Sequence, residues 1–168
     1  HAGSVIRLHD DGRVPEDNPF VKLKGALPEK WTLGNRNIQG AALHPQKGKL
    51  WTHEHGPQGG DEVNLMSAGK NYGWPYVEGF CDQPNESEWC ESLEAVDPLA
   101  AWTPTMAPCG LEYFDHPSIP EWQHSLLLVF LKRQHLRILH LDDAGEAVVS
   151  QDSLFYGELG RLRDVLVA

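Results

Sequence analysis

No stretch of this sequence carries a capped apolar stripe of helical period; its apolar residues come in short runs bounded by turn residues. That pattern confines the chain to β-rich architectures, because a helix must bury a continuous stripe whereas a strand needs only about four to eight residues. The first stretch, SVIRLHDDGRV, reads as a strand, an Asp10-Asp11-Gly12 turn and the start of a return strand. The pattern recurs in LRILHLDDAGEAVVS. The two Asp-Asp pairs, Asp10-Asp11 and Asp142-Asp143, lie 132 residues apart, room for three units of about 44 residues, near the length of a propeller blade. Between them, Ala42-Leu43-His44 passes through Pro45-Gln46-Lys47-Gly48 into Lys49–His53, another strand–turn–strand signal. The run Ser125 to Leu131 (SLLLVFL) predicts a short strand buried on both faces. Loops are expected to dominate residues 54–124, and a loop-rich region of that length is usually functional or held by metal. No linker divides the chain, so residues 1–168 are expected to form one all-β domain, with 79–98 as a loop insert. Six Trp, sixteen Gly and twelve Pro in 168 residues favour the same class over a helix bundle.

Charge narrows the partners. The formal net charge of −10 disfavours nucleic acid and anionic membrane, both polyanions, and suits a neutral substrate or bound cations. The longest apolar run, Leu126 to Leu131, is far short of a membrane span. Cys81 and Cys90 share one polar loop, FCDQPNESEWC, which could close as a disulfide in an oxidising compartment or hold two free thiols; Cys109 is left over in either case.

Several loops carry residues suited to chemistry. In His55-Gly56-Pro57-Gln58-Gly59-Gly60-Asp61-Glu62, the Gly-Pro and Gly-Gly steps leave backbone carbonyls free to converge, and Asp61 and Glu62 add hard anionic oxygens, a donor set that suits Ca²⁺. The competing reading is a surface turn with solvated acids. Arg161 and Arg163 would share a face if their segment is a strand, and two guanidinium groups on one face would receive a polycarboxylate ligand; plain ion pairing with the abundant acids is the alternative. Arg36-Asn37 lies in the Gly-bounded loop LGNRNIQG, from which both side chains could reach a cleft. His53-Glu54-His55 on a strand would put two imidazoles on one face, able with Asp61 to hold Zn²⁺ or Fe²⁺.

Taken together, the blocks GSVIRLHDDGRVPEDNPF, LGNRNIQGAALHPQKGKLWTHEHGPQGGDEVNLMSAGKNYGWP, WTPTMAPCGLEYF, SLLLVFLKRQHLRILHLD and GRLRDV resemble the soluble PQQ-dependent glucose/sorbosone (aldose sugar) dehydrogenases in the family's order, over most of residues 3–165. The resemblance implies a six-bladed β-propeller with PQQ across the top of the central channel, of which this chain would form a part of about three blades. It implies PQQ contacts from Arg36 (near the reactive carbonyl, the one catalytic assignment), Asn37, Thr105, Lys132, Arg161 and Arg163, and from His55 at a position that is Gln in some members. It implies a cofactor-bound Ca²⁺ on the carbonyls of Gly56 and Pro57, and a second Ca²⁺ on Glu62 and the Tyr72 carbonyl, with Asp61 nearby. The implied reaction is oxidation of an aldose sugar at C1 to the lactone, with an external electron acceptor, in the periplasm or outside the cell. The family's general-base His lies upstream of the matching region, so no His here is given that role. The chain also begins in mid-pattern and stops after GRLRDV, so a partial ring with little turnover of its own is expected, its open sheet edges inviting a homo-oligomer. A non-catalytic propeller that binds partners, and a His-x-His metalloenzyme, are the rival readings.

Overall fold

The computed structural model describes residues 1–167; Ala168, the last residue of the expected domain, lies outside them. Eight strands form two antiparallel sheets in simple up-and-down order. The first holds β1 (Ile38–Leu43), β2 (Leu50–Glu54), β3 (Asp61–Met66) and β4 (Ala100–Trp102). The second holds β5 (Pro108–Phe114), β6 (Ser125–Phe130), β7 (His135–Leu141) and β8 (Val148–Leu154). Each four-stranded meander is a propeller blade, and the first strands of the two sheets, β1 and β5, pack together.

Strand–turn–strand signals translate directly into this architecture where apolar residues flank them. The turn after His44 closes with two backbone bonds: Lys49 O accepts from His44 N at 2.8 Å, and Gly48 N donates to His44 O at 3.0 Å. The Asp142–Gly145 turn joins β7 to β8, with the Asp142 carboxylate accepting from Glu146 N at 2.7 Å. The earlier Asp10-Asp11-Gly12 turn also forms, with His9 N on Arg13 O at 2.9 Å. Its flanks build no strand: Ile6 makes only an isolated bridge to Lys30. Residues 1–35 are therefore a strap of turns, and the sheets number two, against the three blades that the Asp-Asp spacing suggests. Residues 54–124, expected to be mostly loop, contain three strands and a short helix α1 (Ser87–Leu93). That helix sits in the insert, which is closed by a Cys81–Cys90 disulfide; Cys109 is free.

β6 is buried on both faces, as its unbroken apolar run predicts. Leu126, Leu128 and Phe130 join Trp51, Val63 and Tyr113 in the core between the sheets, while Leu127 and Val129 face a second cluster covered by Leu162, Val165 and Val167. Trp51 is fully buried, stacks on Tyr113 and donates from Nε1 to Gly145 O at 3.2 Å, tying the blades at one end. The outer face of the first sheet differs. There, Thr52, Glu54, Glu62 and Asn64 are buried polar residues beneath the loops around residues 32–36 and 71–79. No helix among the described residues is long and apolar enough to cross a membrane.

Candidate functional site

The strand directions collect the candidate residues at one rim. Residues 36–37 enter β1, 55–60 join β2 to β3, 103–107 join β4 to β5, and 131–134 join β6 to β7. In an up-and-down meander these connections all lie at the same end of the sheet, so residues far apart in sequence become neighbours.

Arg36 is the centre of the arrangement. Its backbone N–H donates to Glu54 Oε2 at 2.8 Å, and its Nη1 donates to His55 O at 2.6 Å. Its guanidinium lies over the Trp74 ring, 5.0 Å from the centroid, a stack suited to a planar cation. The Nε–H is buried and has no partner. Arg36, His55, Gly56, Pro57, Glu62, Tyr72 and Trp74 line one cavity. Its enclosed space, about 10 Å³, suits a water or a single ion; an aromatic ligand would have to meet these groups at the open mouth. Among the described residues, no N–H donor claims the carbonyls of Gly56, Pro57 or Tyr72.

The rival Zn²⁺ or Fe²⁺ site does not assemble among the described residues. His55 Nε2 pairs with Pro108 O at 2.6 Å and His53 Nε2 pairs with Cys109 O, so the Nε2 of each ring is taken by a β5 carbonyl. Burial holds the His53 pKa down to about 4, keeping the ring neutral. No group of three His, Cys, Asp or Glu among the described residues converges to hold a metal.

Asp61 also departs from expectation. Instead of facing a cation, its fully buried carboxylate accepts from Gly56 N (3.1 Å), Thr105 Oγ1 (2.7 and 2.8 Å), Met106 N (2.6 Å) and Ala107 N (2.8 Å). Both oxygens are saturated by loop donors, which makes Asp61 the brace of the rim and removes it from the ligand set. Thr105 is thereby fixed too, its N–H donating to Gln58 O at 3.0 Å.

The other basic residues are more dispersed. Lys132 is exposed in the β6–β7 turn, its N–H bonded to Met106 O at 3.1 Å, one residue from Thr105. Asn37 is exposed, its Oδ1 accepting from Gln39 Nε2 at 2.9 Å. Arg163 lines an adjacent recess with Gln39 and Cys109. Arg161 is exposed, and the segment holding both arginines is not a strand, so the shared face argued from spacing has no structural basis.

Glu54 and Trp74 belong to the site but were not singled out from sequence. Trp74 sits in the NYGWP block; Glu54 could have been found from hairpin register, since it faces Glu62 across β2 and β3. Burial raises the pKa of Glu54 and, more strongly, of Glu62, where the facing Glu54 carboxyl adds to the rise. Asn64 Nδ2 donates to Glu62 Oε1 at 3.0 Å. A carboxyl whose folded pKa is raised holds its proton longer in the folded chain than in the unfolded one. Stability from this pair is therefore present below the ordinary glutamate value and lost as pH rises through the raised folded value. In protein stripped of metal, Glu62→Gln is expected to raise the melting temperature at pH 7.5 by on the order of 3 °C, with the difference vanishing near pH 4.5; parallel melts at the two pH values check it.

A pair of meander blades whose connecting loops gather a guanidinium, free carbonyls and a buried carboxyl pair at one rim defines part of a propeller with a candidate ligand site at its strand ends. The chain belongs to the glucose/sorbosone dehydrogenase family, whose model matches residues 1–168. It is 43% identical over 98% of its length to an uncharacterised protein of Synechocystis sp., and 36% identical over 97% to an aldose sugar dehydrogenase of Escherichia coli. It covers 40% and 44% of those two proteins, so it spans less than half the length of these curated relatives. Among solved structures, a glucose dehydrogenase superposes with a TM-score of 0.83 at 38% identity, over 96% of this chain and 46% of its own. The PQQ-bound aldose sugar dehydrogenase of Streptomyces coelicolor superposes with a TM-score of 0.74 at 29% identity, over 96% and 42%.

Proposed function

We propose that this chain binds PQQ and Ca²⁺ at the rim around Arg36 and serves the oxidation of aldose sugars at C1 to the lactone. The observation that carries the reading is the buried, unpartnered Arg36 Nε–H in a cavity walled by unclaimed carbonyls. Such donors and acceptors are costly to leave unpaired unless a ligand meets them. The PQQ-bound relative supports the choice of ligand.

When bound, PQQ supplies the two-electron acceptor for hydride from the sugar. The chain's own work is electrostatic and positional. Arg36, held by Trp74 and the His55 carbonyl, presents its remaining N–H donors where negative charge develops, without reorganising at that moment. The Gly56 and Pro57 carbonyls would hold a cofactor-side Ca²⁺, an electrophile beside the quinone oxygens. Glu62, with the Tyr72 carbonyl, would hold a second Ca²⁺, whose charge would relieve the repulsion of the Glu54–Glu62 pair. Lys132 and Arg163 would meet the cofactor's carboxylates from the neighbouring turns, and Asn37, His55 and Thr105 would complete its polar contacts. Arg161, outside every cavity described, has the weakest claim. An external electron acceptor would complete the turnover, and pairing of chains through open edges would give a homo-oligomer. The Cys81–Cys90 disulfide agrees with a periplasmic or secreted setting.

Titration with PQQ in the presence of Ca²⁺ tests the reading. A saturable change in quinone absorbance, lost when Ca²⁺ is chelated, is expected. Dye-linked oxidation of glucose and other aldoses then reports turnover. Absence of saturable binding at millimolar Ca²⁺ overturns the assignment in favour of a binding module.

A further inference from the structure

The Arg36 side chain is held by one hydrogen bond at its tip, Nη1 to His55 O at 2.6 Å, and by the face of Trp74, whose ring centroid lies 5.0 Å from the guanidinium carbon. A single bond leaves the guanidinium free to swing about Nη1. The stack is what fixes its plane. Where Trp74 sits therefore decides where the remaining N–H donors point.

Trp74 is delivered by a pairing between two loops. Leu33 N donates to Lys70 O, Tyr72 N to Leu33 O and Trp74 N to Gly34 O, each at 2.9 Å. The two segments run side by side through a parallel bridge, Leu33 to Asn71. Asn71 is the middle rung of three. A second parallel bridge joins it to Ala95, and Val96 N donates to Asn71 O at 2.9 Å. Ala95 N donates in turn to Cys90 O at 3.0 Å, so the disulfide-closed insert backs the rung from the side opposite Leu33.

The Asn71 side chain shapes the turn that leads to Trp74. Its Oδ1 accepts from Gly73 N at 3.0 Å and curls residues 71–73. Gly34 fits into that curl. A Cβ there would meet Asn71 Oδ1 at 2.0 Å, Gly73 N at 2.6 Å and Tyr72 N at 2.8 Å, and the residue's φ is 71°. Glycine alone lets the two loops close this far. Asn71 itself does not line the Arg36 cavity.

We propose that Asn71 is a positioning residue for Arg36: it sets the plane of the guanidinium by holding the turn that presents Trp74. The consequence for the ligand rests on the quinone reading above, whereas the link from Asn71 to Arg36 does not. Without the Oδ1 bond the curl loosens, Trp74 loses its fixed place, and Arg36 must be ordered at the moment of binding. Ordering one long side chain weakens affinity by up to about tenfold.

The Arg36 Nε–H resonance reads the link without cofactor or metal. A proton held over an indole face is displaced upfield by the ring current. In ¹H–¹⁵N spectra the Arg36 signal, assigned by its loss in Arg36→Lys, is expected upfield in the unsubstituted chain and unshifted in Trp74→Leu. Asn71→Ala should move it most of the way to the Trp74→Leu position. Asn71→Asp, which keeps an oxygen acceptor for Gly73 N, should restore it. Should Asn71→Ala fail to fold, Asn71→Gln takes its place with the same expectation, since its oxygen stands one bond too far out. Absorbance titration with PQQ at saturating Ca²⁺ is expected to show affinity about tenfold weaker in Asn71→Ala and recovered in Asn71→Asp. A folded Asn71→Ala protein with an unmoved Arg36 signal overturns the proposal. So does an Asn71→Asp protein no closer to the original than Asn71→Ala, or a displaced signal with unchanged PQQ affinity. Failure of the unsubstituted chain to bind PQQ, with the pattern of shifts as expected, would instead remove the quinone reading and leave the link between Asn71 and Arg36 standing.

Discussion

Relative to whatever dye-linked aldose oxidation the unsubstituted chain supports, Arg36→Ala is expected to lower the rate by about 10² to 10³-fold, the usual cost of removing one donor aimed at developing negative charge. Arg36 meets the conditions for that role. Its guanidinium is half-buried, fixed over Trp74, bonded to the His55 carbonyl at 2.6 Å, and retains an unpartnered Nε–H. Because the backbone N–H, not the side chain, bonds Glu54, the substitution keeps the link between the residue 36 loop and the buried carboxyl pair. The loss should appear mainly in kcat and in affinity for the quinone, with the melting temperature little changed. Arg36→Lys should recover only a small part, since a lysine ammonium cannot both stack as a plane on Trp74 and fork to two acceptors. Absorbance titration with PQQ, steady-state kinetics and thermal melts separate these outcomes; an Arg36→Ala protein with near-normal kcat would remove Arg36 from the reaction.

The largest effect on stability is expected at Asp61. One carboxylate there takes four loop donors, three of them backbone N–H groups. Asp61→Ala would leave those N–H groups unpaired, that of Met106 buried and those of Gly56 and Ala107 partly so, and the expected cost is about 4 kcal/mol, from the loss of charge-assisted bonds and the desolvation of the orphaned donors. Ala107 adds to it: its φ is 58°, a left-handed conformation that a non-glycine residue keeps only when something holds it, and its N–H bond to Asp61 at 2.8 Å does so. Asp61→Asn should cost less, since the amide keeps one oxygen acceptor, yet its NH₂ would meet N–H groups and repel them. Denaturant unfolding monitored by Trp fluorescence measures both variants. A loss under about 1 kcal/mol for Asp61→Ala would show that the rim holds itself without this carboxylate.

Local signals carried the fold where polar turns were bounded by apolar residues. The His44–Lys49 and Asp142–Gly145 turns and the doubly buried β6 follow directly from residue pattern, because the turns close their hydrogen bonds locally and an unbroken apolar run marks two-sided burial whatever covers it. The Asp10-Asp11-Gly12 turn had the same signature, but Leu8 remains 43% exposed and Ile6 44%. Without a face to bury, the turn formed and the strands did not. β3 and β5 were hidden inside an expected loop region because the glycines and prolines flanking them dominate the local composition.

At the site, the spacing of Gly56, Pro57 and Glu62 pointed to a loop that lines the Arg36 cavity, since carbonyls and a carboxyl there are close in sequence. The role of Asp61 could not be read in that way. Its donors come from residues 105–107, and nothing in the local pattern distinguishes a carboxylate that coordinates an ion from one that braces a turn. Likewise, Arg161 and Arg163 looked like a matched pair only on the assumption of a strand, which the segment after β8 does not form. Glu54 carries no local signal of its own between two histidines, because its meaning lies across the hairpin, opposite Glu62.

Propeller blades are often thought of as exchangeable modules, each closed by its own meander. The Asp61 brace makes this seam an exception. The carboxylate belongs to the first sheet, and the amides it gathers lie on the crossover into the second. Transplanting either blade alone would sever the joint and release the loop that displays the Gly56 and Pro57 oxygens, so the two are heritable only as a linked pair.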